Sequence, residues 1–197
     1  MNEEVILADE EKLHYLNDKW CMWFMYYDSN SVWKETNLQQ IFEFNTVEEF
    51  WGMFYHLKSP MDLKNGRDLS LFKSGIKPVW EDASNKGGGS WTIHFPRNEN
   101  RTKLTIIWEE ILLFVISDIV DENEEDLNQF ICGVAVNIRG KVDKISLWIH
   151  HQSQKDSILK IGRKLKEWLN YSSTLNYYSH DHMKSRTYDS PLYSIGN

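Results

Sequence analysis

The stretch KWCMWFMYY, residues 19–27, decides the fold, because apolar side chains occupy both its odd and its even positions. Alternate side chains of a strand point to opposite faces of the sheet, so a strand with two apolar faces must be covered on both sides. Lys19–Tyr27 therefore predicts a long strand inside a sheet.

Shorter runs on either side of this strand alternate between strand-like and helix-like patterns. Helices are predicted near residues 46–57, 102–118 and 154–169, the first of them beginning with the capping box Thr46-Val47-Glu48-Glu49. Many links are too short for parallel crossovers, which favours an α+β fold: a curved, mainly antiparallel sheet with three helices packed on one face. The further strands are predicted near Ile41–Phe44, Leu69–Lys73, Trp91–Phe95, Ile131–Arg139, Lys144–His150 and Thr174–Tyr178.

Composition limits the class of protein. The 197 residues fit one domain at 14–197 with a mobile C-terminal tail, preceded by a flexible acidic segment at 1–13. The net charge of -7 argues against a long footprint on nucleic acid phosphates. No apolar run reaches the roughly 18 residues of a membrane span, and the acidic N-terminus has no signal-peptide pattern. Cys21 and Cys132 lie in apolar runs and are predicted to be buried thiols of an intracellular protein.

Nine tryptophans are the strongest indication of function. Trp33 and Trp80 fall in polar, turn-rich stretches, where an aromatic ring is well placed to present its flat face to a ligand. Glu81 follows Trp80, and a carboxylate can accept two hydrogen bonds from the N1–H and N2–H edge of guanine. Methylation at N7 makes that base positive, which adds cation–π attraction to stacking.

Arg139 and Lys144 flank the turn of a predicted hairpin, so both could reach phosphates attached to such a base. The alternative is structural: Trp33 and Trp80 would cover the edge of the core, and the two cations would be solvated. Composition alone does not separate these interpretations.

Signatures of catalysis and metal binding are weak. The seven histidines match no metal spacing with ligands elsewhere, so no metal is expected. Gly87-Gly88-Gly89 leads into a strand, so it lacks the helix N-terminus that phosphate-binding loops use.

The first predicted helix carries more apolar surface than one buried face needs. At 100° per residue its apolar side chains cover roughly 160°, with Val47 and Trp51 one turn apart at one edge of that arc. This indicates a second binding surface for an apolar partner; the alternative is a helix buried on two sides.

Four blocks of the chain resemble the eukaryotic translation initiation factor 4E family, the messenger-RNA cap-binding proteins. The resemblance runs from about His14 to Lys184, and eight of the nine tryptophans match family positions, Trp168 being the additional one. The matching blocks are residues 19–24 (KWCMWF), 46–51 (TVEEFW), 70–82 (SLFKSGIKPVWED) and 132–139 (CGVAVNIR).

The resemblance implies a curved sheet of about eight strands, with the cap bound on its concave side and three helices on its convex side. The residues implied to hold the cap are Trp33 and Trp80 for stacking, Glu81 for the guanine edge, Trp148 for the N7-methyl group, and Arg139 and Lys144 for phosphates.

The convex side would bind a helical peptide of a factor 4G-like scaffold or of a 4E-binding protein. The residues implied there are His14, Val47, Trp51, Glu109, Glu110 and Leu113. Three positions depart from the family pattern: Ser90 replaces an arginine and removes a phosphate contact, Glu109 replaces an apolar residue, and Tyr15 replaces a proline.

The function implied is that of a non-enzymatic, monomeric subunit that binds capped mRNA and recruits it to the initiation machinery. No cofactor, metal or membrane is expected, and the location would be the cytoplasm, with the nucleus as a further site. One alternative is a cap-binding translational repressor or mRNA-storage protein that does not engage the productive scaffold. Another is a nucleotide-processing enzyme, which would need a general base near the phosphates; the sequence offers none.

Overall fold

The computed structural model describes residues 12–27, 35–96, 101–151, 153–181 and 190–196. Of the segment predicted to be flexible, residues 1–11 lie outside these ranges. The helices are α1 (Val47–Phe54), α2 (Arg101–Ile116) and α3 (Lys155–Trp168). The strands are β1 (Tyr15–Tyr26), β2 (Leu38–Thr46), β3 (Arg67–Lys73), β4 (Gly89–Pro96), β5 (Ile131–Ile138), β6 (Val142–Ile149), β7 (Leu175–Ser179) and β8 (Tyr193–Ile195).

The eight strands form one curved sheet in the order β2-β1-β3-β5-β6-β4-β7-β8. Neighbouring strands pair antiparallel throughout the described chain. The predicted α+β architecture, an antiparallel sheet with three helices, is confirmed.

Strand β1 has the two apolar faces that its sequence predicts. Trp20 and Met22 are buried in the main core beneath the helices. On the opposite face, Trp23 packs on a smaller apolar cluster formed by Phe72, Cys132 and Ala135. Covering both faces explains the continuous apolar run, and the small cluster forms part of the concave side of the sheet. Cys21 and Cys132 are buried free thiols.

The capping box sets the start of α1. The Thr46 hydroxyl accepts a hydrogen bond from the Glu49 amide at 3.2 Å, and the Glu49 carboxylate accepts one from the Asn45 amide at 3.0 Å. The helix ends at Phe54 rather than near Leu57 as predicted.

Helix α3 lies directly on strand β4. The Trp91 indole N–H donates to the Ile158 carbonyl at 3.0 Å. A Cβ atom at Gly162 would lie 2.4 Å from the Trp91 ring, so only glycine permits this approach. The alternation along β4 therefore directs Trp91, Ile93 and Phe95 to the helices, and the intervening residues to the concave face.

Strand β8 lies in a stretch that the sequence indicates only as a polar tail. Tyr193 pairs with Tyr177 of β7, and their rings stack with centroids 5.7 Å apart. Three residues are too few to show strand periodicity, so this edge strand depends on β7 as its template. No helix in the described ranges is both long and apolar enough to cross a membrane.

Candidate functional site

A cavity of about 500 Å³ opens on the concave face of the sheet. It brings together five of the six residues predicted to hold the cap: Trp80, Glu81, Arg139, Lys144 and Trp148. The sixth, Trp33, lies outside the residues that the structure describes. The remaining lining residues are Met25, Tyr27, Asp68, Ser70, Pro78, Val79, Ser90, Ala135, Asn137 and Ser146.

The loop between β3 and β4 presents Trp80 and Glu81. Asp82 accepts hydrogen bonds from the amides of Lys77 and Ser84, both at 2.9 Å. The fully buried Asn85 donates from its side-chain amide to the carbonyls of Lys77 at 2.8 Å and Val79 at 2.9 Å. A loop cross-linked in this way holds Trp80 half-buried and Glu81 exposed. Within the described chain, the Glu81 carboxylate accepts no hydrogen bond, so its oxygens can accept from a ligand.

Trp148 is held from the side by two rings. Its ring meets that of Phe72 edge-on at a centroid distance of 5.4 Å and that of His180 at 4.2 Å. His180 is buried, and its Nδ1 donates to the Asn85 carbonyl at 3.0 Å. Asn85 thus connects the support of Trp148 to the loop that carries Trp80.

Arg139 forms a bidentate ion pair at the edge of the cavity. Its guanidinium contacts the two carboxylate oxygens of the buried Asp68 at 2.5 and 2.8 Å, and its Cζ lies 5.0 Å from the centroid of the Tyr27 ring. Partial burial disfavours the charged form of Arg139, but the neighbouring Asp68 carboxylate favours it more strongly. The pKa of Arg139 is therefore raised. The ion pair cancels most of the charge that Arg139 could offer to a phosphate.

Lys144 is the second cation of the cavity. Its half-buried side chain makes no ion pair with any residue that the structure describes. Withdrawal from solvent lowers the pKa of Lys144, the positive charge of Arg139 adds to this effect, and the Asp68 carboxylate offsets only part of it. An anionic group placed beside Lys144 would relieve both effects.

Ser90 lines the cavity. Its side chain is fully buried, and its hydroxyl lies 3.4 Å from that of Thr92, which in turn lies 3.0 Å from that of Ser146. The hydroxyl groups of Ser90 and Ser146 make this part of the cavity lining neutral, where an arginine at position 90 would make it positive.

On the convex side, α1 exposes Val47 and Trp51, the two residues at the edge of its predicted apolar arc. Phe50 and Met53 are buried, whereas Val47 and Trp51 are half-exposed. The Trp51 ring contacts those of Phe50 and Tyr55 at centroid distances of 5.1 and 5.7 Å, which fixes its orientation.

His14 precedes β1 and forms hydrogen bonds with the first turn of α1. Its carbonyl accepts the Val47 amide at 2.9 Å, and its Nδ1 donates to the Glu48 carboxylate at 2.6 Å. This pairing lowers the pKa of Glu48. His14 therefore lies beside Val47, on the same surface.

Helix α2 supplies the other three residues predicted for partner binding. Glu109 and Glu110 are exposed, and Leu113 is half-buried. Trp168 of α3 donates from its indole N–H to the Glu110 carboxylate at 3.0 Å and packs edge-on against Phe114. No comparable contact holds Glu109 among the described residues.

Sequence reasoning missed several residues that shape these sites, among them Asp68, Tyr27 and Asn85 at the cavity and Trp168 on the convex side. Asp68 and Tyr27 meet Arg139 only through strand register, which leaves no local sequence signal. Asn85 lies in a turn-rich stretch, where asparagine commonly bonds to the backbone. Trp168 was visible as an additional tryptophan, and its exposed position opposite α2 followed only from the packing of α3.

The chain is similar to known proteins over most of its length. The family model described as eukaryotic initiation factor 4E matches residues 15–191. The eukaryotic translation initiation factor 4E of Xenopus laevis is 38% identical over 180 residues, covering 90% of this chain and 82% of that protein. The factor of Aplysia californica is 44% identical over 156 residues, covering 79% of this chain and 70% of that protein.

Solved structures agree with this likeness. The C. elegans eIF4E-3 in complex with the 4E-binding protein Mextli superposes with a TM-score of 0.83 at 33% identity, covering 93% of this chain and 100% of that one. The Ascaris suum eIF4E-3 in complex with m7G cap gives a TM-score of 0.83 at 34% identity, covering 94% and 99%. These relatives are initiation factors rather than enzymes. By sequence and by fold, the chain belongs to the eukaryotic initiation factor 4E family.

Proposed function

We propose that this chain binds the 7-methylguanosine cap of mRNA on its concave face and recruits the mRNA to the initiation machinery through a helical scaffold peptide on its convex face. The protein acts as a non-enzymatic binding subunit. As a translation factor it works in the cytoplasm, with a further fraction in the nucleus.

The convergence of Trp80, Glu81, Trp148 and Lys144 in one cavity carries this proposal. Trp80 supplies a stacking face, worth about 1–3 kcal/mol for a base. The exposed Glu81 carboxylate accepts the N1–H and N2–H of guanine, and Trp148 lies where the N7-methyl group can contact its ring. Lys144 pairs with the phosphates. Trp33 supplies the second stacking face, as the family resemblance implies.

The relatives support both halves of the proposal. The Ascaris suum structure contains m7G cap, and a schistosome eIF4E was solved with m7GpppA and 4E-BP. In this chain, Val47 and Trp51 of α1 and Leu113 of α2 are half-exposed apolar residues, and Trp51 and Leu113 pack on the main core, on the opposite side of the sheet from the cavity. A peptide with tyrosine and leucine anchors matches such a surface.

Glu109 favours a second candidate function. Glu109 is exposed one helical turn before Leu113 on α2. An apolar peptide bound there would desolvate the Glu109 carboxylate without compensation, which disfavours a generic scaffold. The alternative is a translational repressor or mRNA-storage protein that binds cap but not the productive scaffold. Binding of a scaffold-derived peptide supports the recruiting role, and selective binding of a peptide with lysine or arginine opposite Glu109 supports the repressor role.

Fluorescence titration with two nucleotides tests cap binding. We expect 7-methyl-GTP to quench tryptophan fluorescence with a dissociation constant on the order of micromolar or lower, near -8 kcal/mol. Unmethylated GTP should bind at least about tenfold more weakly, because its base lacks the positive charge. Equal affinities for the two nucleotides would contradict the stacking account.

A further inference from the structure

The Trp148 ring packs against two buried rings that come from different parts of the chain. Phe72 belongs to β3 and to the small apolar cluster of the concave side, whereas His180 follows the last residue of β7. The imidazole is the nearer of the two, with its centroid 4.2 Å from that of Trp148, against 5.4 Å for Phe72. Because His180 is only 1% exposed, close packing holds its ring, and the ring limits the orientations open to the Trp148 indole.

Two hydrogen bonds attach His180 to the loop between β3 and β4. Its backbone amide donates to the Gly88 carbonyl at 2.9 Å, and its Nδ1 donates to the Asn85 carbonyl at 3.0 Å. The Gly88 amide donates to the same Asn85 carbonyl at 3.0 Å, and a Cβ atom at Gly88 would clash with the Ile149 carbonyl of β6. The imidazole is therefore bonded to a tightly packed segment of the loop that presents Trp80.

The imidazole thus makes two contacts that depend on different properties. The contact with Trp148 needs a flat ring, because the geometry of an aromatic pair depends on both rings. The bond to the loop needs only a hydrogen-bond donor at the place of Nδ1. Trp148 would contact a guanine base through its N7-methyl group, whereas Trp80 and Glu81 of the loop would contact the base with or without that group. Loss of the ring contact should therefore affect only the methylated base, and loss of the bond should affect both bases.

We propose that His180 is a positioning residue that sets the selectivity for the N7-methylated base by fixing the orientation of the Trp148 ring. This inference rests on the proposed function, because it requires a guanine base in the cavity with its N7 side toward Trp148. His180 is buried, so it acts through Trp148 rather than by touching the ligand. A histidine that served only the stability of the fold would leave the selectivity between methylated and unmethylated nucleotides unchanged.

Two variants separate the ring from the donor, and calorimetry gives the ratio of the dissociation constants for GTP and 7-methyl-GTP. His180→Asn keeps an amide donor near the Asn85 carbonyl but removes the ring. Its selectivity ratio should fall about three- to tenfold, as expected for the loss of one aromatic contact. His180→Phe keeps a ring but removes the donor. It should weaken both nucleotides by the same factor, about two- to tenfold, so that the ratio stays within about twofold of the wild-type value.

A double-mutant cycle shows whether His180 acts through Trp148. In the Trp148→Leu background, His180→Asn should cause no further loss of selectivity, because no indole remains to be positioned. If His180→Asn does not fold, His180→Leu serves as the ring-free variant, since its apolar side chain fills more of the site.

Three results would overturn the positioning role: an unchanged ratio in the ring-free variant, an equal fall of the ratio in His180→Phe, or additive losses in the cycle. Each of these leaves the proposed function intact as long as the wild-type protein binds 7-methyl-GTP more tightly than GTP. If the wild-type protein binds the two nucleotides equally, both proposals are wrong.

Discussion

In the concave cavity, the guanidinium of Arg139 is locked to the buried carboxylate of Asp68, whereas on the convex surface the carboxylate of Glu109 has no ion-pair partner in the described chain. The cavity residues come from paired strands and a cross-linked loop, and the charge of Arg139 is satisfied before any ligand arrives. The convex residues come mainly from two helices, with apolar side chains half-exposed and acidic side chains exposed. The concave cavity is therefore preorganised for one small ligand, whereas binding at the convex surface depends on the side chains that the partner supplies.

This difference predicts where substitutions will act. Changes at Arg139 or Asp68 in the cavity should alter both ligand binding and stability, because they break a partly buried ion pair. Changes on the convex helices should alter partner binding with little effect on folding, because the side chains there are partly exposed.

The largest effect is expected on the convex side, for Trp51→Ala. A half-exposed aromatic held in place by Phe50 and Tyr55 has the character of a binding hot spot. The variant should lose about 2 kcal/mol or more of binding free energy for a helical peptide with tyrosine and leucine anchors. Calorimetry measures this loss, and the thermal unfolding midpoint serves as the control. Unchanged peptide affinity would show that α1 is not part of the partner-binding surface.

Asp68→Asn should affect both the stability of the protein and its binding of phosphates. Loss of the carboxylate leaves Arg139 without its ion pair, and because Arg139 is partly exposed the expected destabilisation is about 1–3 kcal/mol. The released charge should also tighten 7-methyl-GTP relative to 7-methyl-GMP and steepen the dependence on salt.

Chemical denaturation and titrations at two salt concentrations measure both quantities for Asp68→Asn. A weaker preference for the triphosphate would mean that Asp68 positions Arg139 for phosphate binding rather than neutralising it.

Glu109→Leu tests the acidic position on α2. Replacing the carboxylate removes a charge that an apolar peptide would desolvate, so peptide binding should strengthen by about 1 kcal/mol. Glu110→Gln is the matched control, since that side chain already bonds to Trp168 and keeps its shape. If Glu109→Leu weakens binding, position 109 pairs with a basic residue of the partner, and the repressor role gains support.

The smallest effect is expected for Ser90→Arg on the cavity floor. A new cation there should tighten 7-methyl-GTP binding by roughly 0.5–1 kcal/mol and steepen its salt dependence. Ser90→Gln, which is long and uncharged, controls for crowding at this buried position. Identical behaviour of the two variants would show that charge at position 90 does not reach the phosphates.

Much of the fold could be predicted from local patterns. The two apolar faces of β1, the capping box of α1 and the hairpin of β5 and β6 each appear within a few consecutive residues. Strand β8 could not be predicted, because its stability comes from β7 rather than from its own three residues.

The candidate site also contains some residues that local sequence reveals and others that only the fold brings together. Trp80 and Glu81 are adjacent in sequence, so their shared role was visible from the sequence. The pairing of Arg139 with Asp68, 71 positions apart, and the contact of Glu110 with Trp168, 58 positions apart, exist only in the folded chain. Charge compensation of this kind depends on strand register and helix packing, which single-sequence patterns do not report.

If the two faces bind their ligands independently, a single set of calorimetric titrations should separate them. The wild-type protein, Glu81→Ala and Trp51→Ala are each titrated with 7-methyl-GTP and with the helical peptide. Glu81→Ala should lose about 1–3 kcal/mol of cap binding, because the guanine donors lose their acceptor, and it should keep its peptide affinity. Trp51→Ala should show the reverse. A folded variant that loses both ligands together would contradict the account of two separate sites.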